Sequence, residues 1–495
     1  MSEVALLDSV ITFLAKPLGS FIDGRPALDE QAGVSEIINP ANEQAIARVQ
    51  DATAVQVDAA VAAASRAFKG SWAQTSPYLR GVLLNKLADA IEQHGEELAQ
   101  LEALNSGKAI NVARGLEVAQ SVVFLRYFAG WTTKINGESI TPSLPSMAGE
   151  QYTAFTRREP VGVVAGIVPW NFPLLIAVWK LGSALATGCT IVLKPSEFSP
   201  LSLLRLVELA QEVGIPDGAI NVVTGAGKVG QWLTEHAEVR KVSFTGSVPT
   251  GIAVGAAAMK SKLTRVTLEL GGKNPAALLA DVNIDDVVPG LVMTAFTHQG
   301  QICASPERIY VHRSRIDELE QKLGAALAGL KIGSPLDESV QFGPLANKAH
   351  YQKIASYFER MGDGQVVVTG GRTVGDKGYF VEPTLLRASS PDDLFLTEET
   401  FGPIVCLLAF DSDEELIELL NDTPYGLGAS LWTNDLSKAL RMIPRIESGT
   451  VWVNMHTFLD PAVPFGGSKS SGIGREFGSA FIEAFTELKS VMIRY

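Results

Sequence analysis

Cys303 closes the stretch Gln299-Gly300-Gln301-Ile302-Cys303 and is followed by the small residues Ala304 and Ser305. A thiol behind a glycine turn sits where backbone amides can approach a reacting atom, which is what a thiolate nucleophile requires. The plain alternative is a tolerated loop thiol, since a lone cysteine proves little. Cys406, in the apolar run IVCLLAF, and Cys189, in ATGCTIV, read as core thiols kept neutral by burial. A nucleophile also needs a base and a donor for the oxyanion. Glu269 ends the run VTLEL ahead of Gly271 and Gly272. A carboxylate on a buried strand is either ion-paired, here with Lys180 or Lys273, or raised in pKa toward the range of a general base. Asn171, between Trp170 and Phe172, offers its side-chain amide to a developing oxyanion, or is simply a polar strand end.

Two stretches offer turns to a phosphate. Gly225, Gly227 and Gly230 spell G-x-G-x-x-G after the strand-like INVVT. No acidic partner follows at the expected distance, so a plain turn competes with a dinucleotide fingerprint. Phe244-Thr245-Gly246-Ser247 ends another strand where a helix begins, so that amides and helix dipole would face a phosphate. Lys194 and Glu197, in LKPSE, close a third strand. A carboxylate there accepts from ribose hydroxyls and repels a 2′-phosphate, which points to NAD over NADP; the alternative is a solvated helix start capped by Ser196 or Ser199.

The elements that must position these groups follow a legible rhythm. From about Asp58 to Trp131 apolar residues recur at helical spacing. The stretch from about 136 to 158, punctuated by Pro and Gly, suits short strands on an excursion from the domain. From Val161 the runs VGVVAGIVPW, CTIVLKP, AINVVTG, KVSFTG and RVTLEL alternate with helical segments. That pattern predicts βαβ units and a parallel sheet with helices on both faces, binding ligands beyond the carboxyl ends of its strands. After Gly271 the alternation resumes through AALLA, RIYVHR, PIVCLLAF, GASLWT and GTVWVN, a second α/β domain. The terminal KSVMIRY alternates like a strand tied to another sheet, in this chain or in another subunit.

A chain of 495 residues has room for about three domains. Its net charge of -13 argues against nucleic acid or an anionic membrane as partner. Three cysteines without metal-site spacing suggest neither a disulfide framework nor a zinc site, so no metal is expected and a reducing cytoplasm fits best. The N-terminus lacks the basic and long apolar regions of a signal peptide, and no apolar run reaches the roughly 18 residues of a membrane helix.

The motifs PWNFP (Pro169 to Pro173), KPSE (Lys194 to Glu197), FTGS (Phe244 to Ser247), LELGGKNP (Leu268 to Pro275), QGQIC (Gln299 to Cys303), EETFGP (Glu398 to Pro403) and PFGGSKSSGIGRE (Pro464 to Glu476) span nearly the entire chain. In order and spacing the chain resembles the NAD(P)-dependent aldehyde dehydrogenases. The resemblance implies an α/β fold with a Rossmann-type coenzyme domain (1–139 and 160–270), an α/β catalytic domain (271–475) and a small β oligomerisation element (140–159 and 476–495). It implies Cys303 as nucleophile, Asn171 with the Cys303 amide as oxyanion donors, Glu269 as base, and Lys180 as a residue that helps a proton leave. For NAD it implies Lys194 and Glu197 at the adenosine ribose, Gly246 and Ser247 at the pyrophosphate, and Glu399 and Phe401 on the nicotinamide-ribose side, with Ser196 and Phe244 also among the coenzyme-binding residues. Ile167, Pro169, Trp170 and Leu270 would lie around the coenzyme, and Gly227 and Gly230 are demoted to a loop lining the adenine.

Phe172, Ile176, Trp179, Phe296, Ile302, Phe458 and Phe465 match the family's substrate tunnel. They describe an apolar, aromatic-rich channel without an Arg or Lys to hold a substrate carboxylate. The text is most similar to bacterial members that oxidise phenylacetaldehyde in styrene or phenylethylamine breakdown, with a broad-specificity aliphatic or aromatic enzyme as the alternative. The resemblance further implies a cytoplasmic homo-oligomer, a dimer of dimers. The sequence departs from family text at Ser305-Pro306-Glu307. A cysteine-nucleophile hydrolase would need a base, usually His, beside the thiol. A coenzyme-A-acylating relative typically lacks the carboxylate at Glu269, and a scaffold without catalysis is disfavoured by the intact Cys303, Glu269 and Asn171.

Overall fold

The computed structural model describes residues 4–362 and 364–495. Five strands carry the expected βαβ series: β1 (Val163–Ile167), β2 (Thr190–Lys194), β3 (Ile220–Val222), β4 (Val239–Thr245) and β5 (Arg265–Glu269). They pair in parallel in the spatial order β5-β4-β1-β2-β3. β1, β2 and β3 are buried along their whole length, as strands covered by helices on both faces must be. The crossovers are α1 (Pro173–Thr187), α2 (Leu201–Glu212), α3 (Gly227–Glu235) and α4 (Val248–Lys262). Every residue of α1 is buried. Pro173 opens it, where a missing amide hydrogen costs nothing, and Gly188 closes it in the left-handed conformation at φ 92°.

The sheet is widened by antiparallel additions at both edges. Ser20–Ile22 joins β3 and is itself paired with Arg25–Ala27, strands that helical periodicity could not announce because each has three residues. At the other edge Gly472–Ile473 pairs with β5. The helical block from 54 to 131 packs on the same core, together with Phe465, Phe477, Phe481 and Phe485 from near the C-terminus. Thus part of the stretch assigned from the sequence to the second domain and the oligomerisation element is built into the first core.

The second sheet contains β6 (Asn274–Leu278), β7 (Pro306–His312), β8 (Gln365–Thr369), β9 (Thr384–Ala388), β10 (Ile404–Phe410), β11 (Gly428–Trp432) and β12 (Thr450–Val453). Its order is β8-β9-β10-β7-β6-β11-β12, parallel apart from the β8–β9 pair. Between β6 and β7 runs α5 (Ile284–Phe296), which ends just before the turn leading to Cys303. A third, three-stranded antiparallel sheet joins Ser139–Ile140, Tyr152–Pro160 and Thr486–Arg494. The C-terminal strand is therefore paired within its own chain, along nine consecutive residue pairs. No helix among the described residues is long and apolar enough to cross a membrane. Among them there is also no cluster of three or more His, Cys, Asp or Glu able to hold a metal ion.

Candidate active site

A cleft of about 180 Å³ lies where the carboxyl ends of the first sheet meet the second unit. Its walls bring together Pro169, Trp170, Asn171, Ile176, Gly246, Ser247, Glu269, Leu270, Cys303, Glu399 and Phe401, along with Thr245, Gly271, His350 and Lys353. Residues from five other stretches of sequence therefore converge on Cys303.

The nucleophile turn is heavily constrained. His298, Gln299 and Gly300 take successive left-handed conformations at φ 50°, 57° and 69°. A side chain at Gly300 would fall 2.5 Å from the carbonyl oxygen of Gly402, so only glycine fits. Beyond the turn, Asn274 Nδ2 donates to the carbonyls of Cys303 (2.7 Å) and Ser305 (3.0 Å), while its Oδ1 accepts from the Gly428 amide. Ser305 Oγ donates to the carbonyls of Thr294 and Ala295 at the end of α5. Cys303 is thereby fastened to β6, β11 and α5. Its thiol is half-buried, and burial together with the nearby carboxylates Glu269 and Glu399 pushes its pKa up to about 12.

Glu269 ends β5 in register with Thr245 of β4 and is buried. Neither ion pair that the sequence allowed is formed. Lys180 Nζ donates to Glu476 Oε1 (3.0 Å) and to Ser243 Oγ (3.1 Å), and Lys273 Nζ donates to Glu307. Both carboxylate oxygens of Glu269 lack a hydrogen-bond partner. Burial, reinforced by the charge of Glu476 and only partly offset by Lys180 and Arg475, holds its pKa well above the usual carboxylate range. Such a group is primed to take a proton. A side chain at Gly466 would sit 2.7 Å from Glu269 Oε1, so the glycine keeps that face of the carboxylate clear.

Asn171 Nδ2 donates to the Gln301 carbonyl at 2.8 Å, which brings the amide beside the nucleophile turn and leaves its second hydrogen for the cleft. Lys180 is fully buried behind the cleft rather than in its wall.

The cofactor candidates follow the strand ends. Lys194, at the end of β2, is buried and lies 3.5 Å from Glu197, with burial lowering its pKa. The reading of this stretch as a capped, solvated helix start is overturned: α2 has no side-chain cap, Ser196 Oγ accepts instead from the Phe198 amide, and Leu201 N donates to Asn105 Oδ1. A side chain at Gly230, in the first turn of α3, would meet Ile167 and Lys194 at 3.9 Å, while Gly227 opens that helix. Ser247 precedes α4 without capping it; its hydroxyl meets Thr250 Oγ1 at 3.0 Å, so no side chain occupies the first-turn amides. Phe244 supports Gly246 from below, since a side chain there would fall 2.6 Å from its ring. Thr245 Oγ1 is buried without a partner at the same strand end. An acidic residue beside a buried lysine, an uncapped helix start and an orphaned hydroxyl form a cradle with polar groups left for a dinucleotide.

The expected tunnel residues are only partly assembled at the cleft. Ile176 lines it. Phe172 packs edge-on to His298 (5.4 Å), Trp179 edge-on to Phe477 (4.7 Å), and Phe465 stacks on Phe477 (6.1 Å). Ile302 is half-buried against the first core, and Phe458 is 62 % exposed. Phe296 is buried in the core between α5 and the second sheet, away from the lining residues.

Sequence reasoning passed over His350 and Lys353, on the helix Lys348–Glu359. His350 Nε2 bonds the Phe401 carbonyl (2.8 Å), and Lys353 Nζ donates to the carbonyls of Glu399 (3.1 Å) and Thr400 (3.2 Å). Their contacts are to backbone, which leaves no trace in residue spacing. Burial lowers the pKa of His350 to about 3, so it is neutral.

Comparison with known proteins gives a consistent result. The profile of the Aldehyde dehydrogenase family matches residues 28–491. The phenylacetaldehyde dehydrogenase of Pseudomonas fluorescens is 43% identical, covering 93% of this chain and 92% of the relative. The cytosolic aldehyde dehydrogenase 1 of Rattus norvegicus is 41% identical over 92% of this chain and 91% of its own. Among solved structures, the NAD+ complex of an aldehyde dehydrogenase from Bacillus cereus superposes with a TM-score of 0.96 at 41% identity, covering 99% of both chains.

Proposed function

The chain belongs to the aldehyde dehydrogenase family, and on that premise we propose that it oxidises an aldehyde to a carboxylic acid, with NAD as hydride acceptor and a thioester on Cys303 as intermediate. The observation that carries this reading is the convergence of Cys303, Asn171 and an unpartnered Glu269 in one cleft beside the uncapped start of α4.

The raised pKa of Cys303 means that its proton must be taken before attack, and Glu269 in the same cleft is the acceptor. The thiolate adds to the aldehyde carbon. Asn171 and the Cys303 amide hold the resulting alkoxide. Bound NAD would supply the hydride acceptor for this carbon, and loss of the hydride leaves a thioester on the Cys303 sulfur. The proton taken from the thiol passes out past Lys180 and Glu476, and Glu269, ionised again, deprotonates a water whose hydroxide adds to the thioester; the departing thiolate takes that proton back as the acid is released. Lys194 and Glu197 would hold the adenosine ribose, with Ser196, Ile167, Gly227 and Gly230 around that end; Gly246 and Ser247 would meet the pyrophosphate, and Glu399 and Phe401 the nicotinamide ribose. The charge of Glu197 favours NAD over NADP.

For substrate we propose phenylacetaldehyde, in aromatic catabolism, with a broad-specificity aldehyde dehydrogenase as the second reading. Supporting it are the relative of that name and the apolar cluster that Ile176 shares with Phe172, Trp179 and Phe465. The division into coenzyme, catalytic and oligomerisation parts is retained as a proposal. Assembly into a homo-oligomer is supported by the three-stranded sheet, where Ile140, Leu488, Met492 and Ile493 are exposed. Three unpaired cysteines suit a reducing cytoplasm. A hydrolase would need an imidazole on Cys303, and His298 is instead buried against Phe172.

The test is kcat/KM for phenylacetaldehyde against benzaldehyde, hexanal and betaine aldehyde with each coenzyme, alongside mass spectrometry of Cys303. Acylation of Cys303 with the acid as product supports the reading. Ester turnover without aldehyde-dependent NADH formation, or acyl-CoA as main product, overturns it.

A further inference from the structure

Glu307 stands on β7, four positions after Cys303 and within the stretch that departs from family text. It is buried, and its carboxylate is fully engaged. Oε2 accepts from Lys273 Nζ, from the Thr400 amide (2.8 Å) and from Thr400 Oγ1 (2.8 Å), while Oε1 accepts from the Phe401 amide (2.8 Å). Two successive backbone amides thus close around one carboxylate, the arrangement of an anion-binding nest with a side chain as the anion. Phe401 has φ 58°, a left-handed conformation that a residue with a bulky ring keeps only when its surroundings hold it.

The same turn is gripped from its other side by Lys353 and His350, and Glu399 Oε1 accepts from the Gly272 amide at 2.9 Å. Glu399 and Phe401 both face the cleft. The turn that presents them is therefore anchored from beneath on the strand that continues the Cys303 segment. An ion pair with Lys273 alone would contribute to folding and nothing more. The contacts to Thr400 and Phe401 add a geometric constraint between the two sides of the cleft.

We propose that Glu307 is a positioning residue for the nicotinamide half of the coenzyme, fixing Glu399 and Phe401 relative to Cys303. This role rests on the assignment of the cleft to NAD made above. Glu307→Gln keeps the shape but turns one acceptor oxygen into a donor facing other donors. It also leaves Lys273 buried without a countercharge, which lowers stability for a reason unrelated to the coenzyme. The paired variant Lys273→Met/Glu307→Gln removes that second effect.

The experiment measures unfolding temperature, NAD affinity by calorimetry and NAD-independent turnover of p-nitrophenyl acetate in wild type and both variants. In Glu307→Gln the expected result is NAD binding weakened about tenfold, the loss of one charge-assisted hydrogen bond, with ester turnover retained. In the paired variant the unfolding temperature recovers and NAD binding stays weak. NAD affinity unchanged in Glu307→Gln, or restored together with stability in the paired variant, overturns the role. Should the single variant fail to fold, the paired variant alone decides. A wild-type enzyme that binds no NAD overturns the assignment of the cleft itself, and this role with it.

Discussion

Lys180 Nζ lies 3.0 Å from Glu476 Oε1, and this contact, rather than one to Glu269, satisfies the lysine. Its charge still favours ionised Glu269 from a distance. Replacing Lys180 by Gln should therefore raise the pKa of Glu269 further and move the acid limb of the kcat profile to higher pH. A pH series of steady-state rates checks this, and an unmoved limb would count against Lys180 acting on the base.

Glu269→Gln removes the proton acceptor while keeping the packing. Without it the thiol loses its proton only to solvent, so hydride transfer should slow and the thioester, once formed, should persist, with kcat lowered about 100-fold or more, as read by single-turnover kinetics and the mass of the Cys303 peptide. The same variant carries a stability signature. Because the folded pKa of Glu269 lies above its unfolded value of 4.5, the folded state binds the extra proton. The wild type thus loses stability as pH rises through the folded value. The difference in unfolding temperature should move in favour of the Gln variant as pH increases above 4.5.

Glu197 bears on coenzyme choice. Glu197→Gln should shift the ratio of NAD to NADP kcat/KM toward NADP by about tenfold, the effect of removing one like charge near a phosphate. A ratio equal to that of the wild type would place the discrimination elsewhere.

Buried neutral histidines weaken the fold at acid pH. His350 and His456 are held at about 3 and about 4 by burial, against an ordinary value of 6.5. The unfolded chain binds more protons across that window, so stability falls as pH drops from 6.5 toward 4. His350→Gln should flatten this fall, as measured by unfolding temperature between those limits.

Much of the cleft was legible because its residues end strands. Glu269, Gly246 and Asn171 each stand at or just beyond the carboxyl end of a strand of the first sheet, where a parallel sheet exposes functional groups. What escaped the sequence was held by backbone. His350, Lys353 and Glu307 act on carbonyls and amides, and main-chain partners have no residue type to recognise. Phe296 was legible only as one of two readings, since a large apolar side chain at the end of a helix suits a core as well as a channel; in the structure it packs in the core between α5 and the second sheet. The short edge strands Ser20–Ile22 and Gly472–Ile473 carry too few residues for any periodicity to show.

β5 and β6 are consecutive strands that belong to different sheets, and the crossing is made by residues 270–273 alone. Glu269 stands at one bank of that crossing, and Asn274, which grips the Cys303 carbonyl, at the other. Four residues of chain therefore set the spacing between the base and the asparagine that grips the nucleophile's carbonyl, a tether too short to let the one drift from the other.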